Sequence, residues 1–169
     1  MRKLLFLLFP FIFVSCASVS VSKNKLDRNG NYIDKSFTHT IIVEKSSSLS
    51  AFGVMSKEWE ELFEDSLIYK AYGKGNSFMS KTEVKQFTCD AIKLLSNIKK
   101  KKFAAIVEEK DSINTTYWNQ SSKIGTITTN SYTPLEKYDF SCYAIMFDNE
   151  ELTPLLREVF GKIQIITVK

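Results

Sequence analysis

The first fourteen residues, MRKLLFLLFPFIFV, cannot take part in the fold that the rest of the chain builds. Leu4 to Val14 is an unbroken apolar run of eleven residues behind Arg2 and Lys3. Apolar side chains fill every position, without the 3.6-residue or two-residue period of a half-buried helix or strand. A membrane-crossing helix needs about 20 apolar residues for a hydrocarbon core of about 30 Å. Pro10 also removes a helical hydrogen bond inside the run. A short, uniformly apolar stretch with a positive start reads as a secretory apolar region that is removed. The domain has to be built from residues beyond this segment.

Phe13-Val14-Ser15-Cys16 resembles the lipobox of bacterial lipoprotein signal peptides, in which the cysteine is alkylated by a diacylglyceryl group and becomes the first mature residue. The usual pattern has Leu, Val or Ile three residues before the cysteine, and Phe13 departs from it. An ordinary small-x-small site, Ser15-Cys16-Ala17, is the alternative. The resemblance covers residues 1–16 alone and implies a signal peptide over 1–15. It also implies several acyl chains, palmitate among them, on Cys16. Each buried CH₂ contributes about 0.8 kcal/mol and one chain alone attaches reversibly, so stable anchoring takes more than one. Ala17 stands where lipoproteins retained in the inner membrane carry Asp, which implies the outer membrane if the cell has one.

Without Arg2 and Lys3 the 23 basic residues fall to 21, against 19 acidic, so the mature chain is close to neutral. That argues against a dedicated nucleic-acid binder, which carries a strong basic excess. About 154 residues remain, enough for one domain. With Cys16 lipidated, Cys89 and Cys142 are left as an even pair in an oxidising compartment. A disulfide between them would close a loop of about 53 residues and stabilise by about 4 kcal/mol. The alternative is two separate buried thiols.

Residues 16–37 read as the lipidated cysteine and a polar, flexible tether containing the turn dipeptide Asn29-Gly30, and 38–169 as a single domain. Thr38 to Glu44 is a β-branched strand with His39, Ile41 and Val43 on one face. Trp59, Leu62, Phe63, Ser66 and Tyr69 recur at helical spacing, which predicts a helix from Ser56 to about Tyr72, broken by Gly73 and Gly75. Ser80 and Glu83 form a capping box for a second helix, with Val84, Phe87, Ala91, Leu95 and Ile98 as its apolar stripe, widened by Ile92 and Leu94. Cys89 falls about 150° from that stripe. Further strands are predicted at Phe103 to Glu108, in a hairpin around Asn119 to Lys123, and at Phe140 to Phe147, which is apolar on both faces and therefore central. Thr153 and Pro154 open a short helix ended by Gly161, and Ile163 to Val168 closes the chain. The fold class is α+β: a largely antiparallel sheet with two consecutive helices and a short third helix packed on it.

Candidate chemistry is sparse. His39 is the only histidine, and no nucleophile elbow accompanies it. One histidine and two distant cysteines do not give zinc spacing, and no cofactor motif is present. Glu58, Glu60, Glu61, Glu64 and Asp65 read as a solvated helix face. Lys99 to Lys102 sits where a helix dipole favours cations; contact with anionic headgroups or an acidic partner is the functional alternative. Tyr117, Trp118, Tyr132 and Tyr138 flank a polar stretch and form either a binding surface or edge-strand packing. The resulting expectation is a non-catalytic lipoprotein of the cell envelope, held at the membrane by Cys16 and acting by binding or assembly with an envelope protein. A small hydrolase using His39 is the first alternative. An inhibitor or exclusion lipoprotein with a protruding loop near Asn119 to Asn130 is the second.

Overall fold

The structure is a computed structural model that describes residues 25–46 and 63–168. Among the described residues seven strands form one antiparallel sheet: β1 (Lys25–Leu26), β2 (Tyr32–Lys35), β3 (His39–Lys45), β4 (Leu67–Gly75), β5 (Phe103–Ile124), β6 (Ile127–Phe147) and β7 (Gln164–Thr167). Their spatial order is β1-β2-β3-β4-β6-β5-β7. Helix α1 (Lys81–Ile98) joins β4 to β5, and α2 (Leu152–Phe160) joins β6 to β7. The α+β class holds, with the sheet dominant.

The helices lie on opposite faces of the sheet. Successive residues of a strand point to opposite faces, and in β6 Phe140, Cys142, Ala144 and Met146 pack in one cluster with Val84, Ile92 and Leu95 of α1. Ile145 and Phe147 pack in another with Leu152 and Leu156 of α2. Burial on both faces makes β6 central, as its composition predicts.

The helix expected over residues 56–72 is corrected. Leu67–Gly75 is strand β4, Phe63 to Asp65 form a turn, and residues 56–62 lie outside the described residues. As a strand this segment fills the slot between β3 and β6, from Tyr69↔Lys45 to Gly75↔His39 on one side and from Leu67↔Met146 to Lys74↔Asp139 on the other. Two full ladders outweigh helical spacing, because Ile68, Tyr69 and Ala71 are buried on both faces.

Ser80 and Glu83 make the expected capping box: Ser80 Oγ accepts from Glu83 N at 3.3 Å and Glu83 Oε2 accepts from Ser80 N at 2.8 Å. The buried face of α1 is turned from the predicted stripe. Phe87 and Ile98 are exposed, whereas Thr88, Cys89 and Ser96 are buried. The cause is β4. A Cβ on Gly73 would collide with Thr88 Oγ1, and one on Gly75 would meet Val84 Cγ2, so two missing side chains let the helix settle on this side. Thr88 satisfies its buried hydroxyl by donating to Val84 O at 2.8 Å.

The sheet also starts earlier than the tether reading allows. The Asn29-Gly30 turn is present, with Asp27 Oδ1 accepting from Asn29 N and Asn31 N at 2.9 Å each. It returns the chain into β2, which pairs with β3 from Tyr32↔Val43 to Lys35↔Thr40.

The largest departure is the β5–β6 hairpin, with strands of 22 and 21 residues. Phe103 to Glu108 and Phe140 to Phe147, expected as separate strands, are the roots of these two. The turn lies at Gly125-Thr126 rather than around Asn119 to Lys123. Gly125 has φ +65° and Thr126 is not among the residues of positive φ, the type II′ pattern that suits a two-residue hairpin. Beyond Ser112↔Asp139 the two strands pair, among the described residues, only with each other. Residues 113–124 carry this arm about 40 Å past the sheet.

Gly73→Ala is expected to destabilise the fold by about 1–3 kcal/mol through overpacking under α1. The denaturant midpoint should fall with an unchanged slope, and adding Thr88→Ala should restore part of the loss. An unchanged midpoint in the single variant would show that α1 does not depend on this close approach.

Candidate functional site

The arm acquires its two faces from one irregularity. Between Val107↔Tyr143 and Lys110↔Ser141 the register shifts, with Glu108 at φ +50°. A single extra residue reverses the side-chain alternation of a strand. Ala105 and Val107 therefore face α2, whereas Glu109 and Asp111 turn to the α1 side. There Lys85 pairs with Glu109 at 2.5 Å and Lys81 with Asp111 at 2.6 Å. Exposed pairs of this kind contribute about 0.2–1 kcal/mol each; here they tie the root of the arm to the helix.

Beyond the bulge the register puts Ile113 opposite Tyr138, Tyr117 opposite Pro134 and Asn119 opposite Tyr132, all on the face that continues from Phe140 beneath α1. Tyr117 is 69% exposed and Tyr132 63%. Tyr138 is half-buried and its hydroxyl donates to Glu136 Oε2 at 3.1 Å. Trp118, opposite Thr133, lies on the reverse face with Leu135 and is also exposed. The four aromatics singled out in the sequence thus belong to one element, three on one face and one behind. Ile113 and Pro134 complete the row, and only the register reveals them.

His39 sits at the same end of the sheet, on the α1 side. Its Nε2 is 3.3 Å from Asp34 Oδ2, and its Nδ1 is 3.1 Å from Ser36 Oγ and 3.0 Å from Thr38 Oγ1. Its ring stacks on Phe87 with centroids 4.7 Å apart. Acid, imidazole and hydroxyl are in triad order, a grouping the sequence reading missed because residues up to 37 were assigned to a tether. Ser36 is nevertheless occupied. Its oxygen accepts from Thr38 N at 3.3 Å and His39 N at 3.1 Å, so the hydroxyl is built into the local turn. These bonds close the β2–β3 turn.

Cys89 and Cys142 are both buried, in the layer between α1 and the sheet. The expectation that Cys89 points away from the core is corrected by the turned face of α1. Both are free thiols. Burial pushes Cys89 up to about 11 against the opposing pull of the Lys85 ammonium. Burial, then the neighbouring Cys89, raises Cys142 further. Among the described residues no three His, Cys, Asp or Glu side chains converge as metal ligands. Cys16, Glu58, Glu60 and Glu61 lie outside the described residues, and Glu64 and Asp65 are exposed in a turn. In the lysine run, Lys101 Nζ donates to Asp148 Oδ2 and to Asp65 O at 2.8 Å each, a tie within the protein. A cleft of about 200 Å³ at the arm's root mixes Lys74 and Lys110 with Asp111 and Asp139, and His39 does not line it.

Compared with known proteins, the chain matches no family model, no curated protein and no solved structure.

A fluorophosphonate probe is expected to leave Ser36 unlabelled, and a covalent adduct on Ser36 that is lost in His39→Ala would restore the hydrolase reading. In native protein Cys89 and Cys142 should resist thiol reagents, and both should label after unfolding without reductant. Failure of both to label once unfolded would show them joined.

Proposed function

We propose that this chain is a non-catalytic cell-envelope lipoprotein, anchored through acyl chains on Cys16, that works by binding or assembly with another envelope component through its β5–β6 arm. The observation that carries this is the arm: about 40 Å of two-stranded ribbon with exposed aromatic rows, rooted in a packed body. A two-stranded hairpin is marginally stable by itself in water, and its unpaired edges are templates for further contact. Tyrosine and tryptophan give large contact areas and are enriched at binding hot spots. Pro134, which has no N–H to offer, is one residue that limits indiscriminate edge pairing. The hydroxyls nearest His39, those of Ser36 and Thr38, are bound into the β2–β3 turn below the arm, which favours a structural role for the group.

The exclusion reading keeps one observation in its favour. The projecting element includes residues 119–130, where a blocking device was expected, and its length suits the occlusion of a neighbouring protein.

Mass spectrometry of the mature N-terminus should find an acylated Cys16, and an unmodified start at Ser18 would contradict the anchor. A photoreactive residue replacing Tyr132 in cells should capture an envelope component that one replacing Glu158, exposed on α2, does not. Equal capture from both positions would contradict a role for the arm.

A further inference from the structure

The direction of β1 bears on how the domain sits once anchored. Lys25 pairs with Ile33 and Leu26 with Tyr32, so β1 runs away from the β2–β3 turn and the chain enters the sheet from the end that bears the arm. Only residues 17–24 separate Cys16 from Lys25, and nine peptide steps span at most about 30 Å. The arm extends about 40 Å beyond the sheet at that same end. A tether shorter than the arm, joined to a strand whose start faces the arm's end, leaves the tip within reach of the membrane that carries the acyl chains. With the body held arm-first, the arm meets that surface at a tilt.

We infer that the arm lies in the headgroup layer of the bilayer that holds the acyl anchor, so that its first ligand is the lipid surface itself. This rests on the lipoprotein reading above. The chemistry of the end suits such contact. Ile124 and Ile127 flank the turn and are 79% and 69% exposed. Residues 119–133 carry a single charge, Lys123. Tyr117, Trp118 and Tyr132 stand behind the tip, and tyrosine and tryptophan favour the membrane–water boundary. At the base of the arm Phe37 and Phe78 are 91% and 85% exposed. Their loops are joined, with Asn76 N donating to Thr38 O at 2.9 Å and Asn76 Nδ2 to Phe37 O at 3.4 Å. Apolar side chains therefore mark both the tip and the base. Hydrocarbon would leave the ribbon's edge N–H and C=O groups unsatisfied, so the contact is with headgroups and the upper acyl region rather than across the core. The lysine run lies at the far end of α1, where Lys101 is tied to Asp148, and does not face this surface.

The test uses acylated protein reconstituted in vesicles of phosphatidylethanolamine and phosphatidylglycerol, with a polarity-sensitive dye at Thr126→Cys. Glu150→Cys, exposed at the opposite end, is the control, and the native thiols are buried. Brominated lipid should quench the dye at 126 several-fold more strongly than the dye at 150, and Ile124→Asn with Ile127→Asn should remove most of that difference without changing the circular dichroism. Acylated protein with equal, weak quenching at both positions overturns the placement of the arm and leaves the anchor standing. Absence of acyl chains on Cys16 overturns both.

Discussion

The β5–β6 ladder is the interaction on which the rest depends. It runs from Phe103↔Phe147 to Ile124↔Ile127 and is both the centre of the core and the whole of the arm. The only shift in that ladder lies at Glu108, and it decides which side chains the arm shows. Without it the odd positions of β5 would continue the α2 face set by Ala105 and Val107. With it Glu109 and Asp111 meet lysines of α1, and Ile113 and Tyr117 join Tyr132, Pro134 and Tyr138 in one row. A single left-handed residue thus converts a core strand into a two-faced ribbon with a chosen aromatic side.

The body that bears this ribbon is fixed by a second constraint, the close seating of α1 on β4. Gly73 and Gly75 give up their side chains so that Thr88 and Val84 can come near the sheet. That seating turns the helix, buries Cys89 and brings Phe87 onto His39. It also places Lys81 and Lys85 over the root of the arm. His39 with Asp34, Ser36 and Thr38 then has a structural account: a satisfied polar turn capped by an aromatic ring, at the end of the sheet from which the arm leaves.

What the sequence showed depended on how local the cause was. The capping box at Ser80 and Glu83, the Asn29-Gly30 turn and the two-sided apolar run of Phe140 to Phe147 are local and were readable. The strand at Leu67–Gly75 was not, because its reasons lie in β3 and β6, whereas the helical spacing of Leu62, Phe63 and Tyr69 lies within the segment itself. The arm was legible only as aromatics beside a polar stretch. Neither face of an exposed ribbon is buried, so its strands lack the alternation that marks a half-buried sheet, and Ser, Thr and Asn at 119–131 resemble a loop. The turn of α1 comes from glycines that were read as helix breakers. Asp34 and Ser36 were hidden from His39 once their segment was assigned to a tether. The lipobox resemblance implies an address, which no packing argument could supply.

A self-sufficient body carrying a dispensable ribbon that makes the contacts is the central claim, and excision tests it most directly. Residues 113–138 are replaced by an Asn-Gly turn that closes Ser112 on Asp139, and thermal unfolding and association with the envelope are measured on the same protein. The account predicts a cooperative transition at close to the original midpoint, together with loss of the contacts that the intact arm makes. A body that no longer folds, or full retention of those contacts, would contradict it.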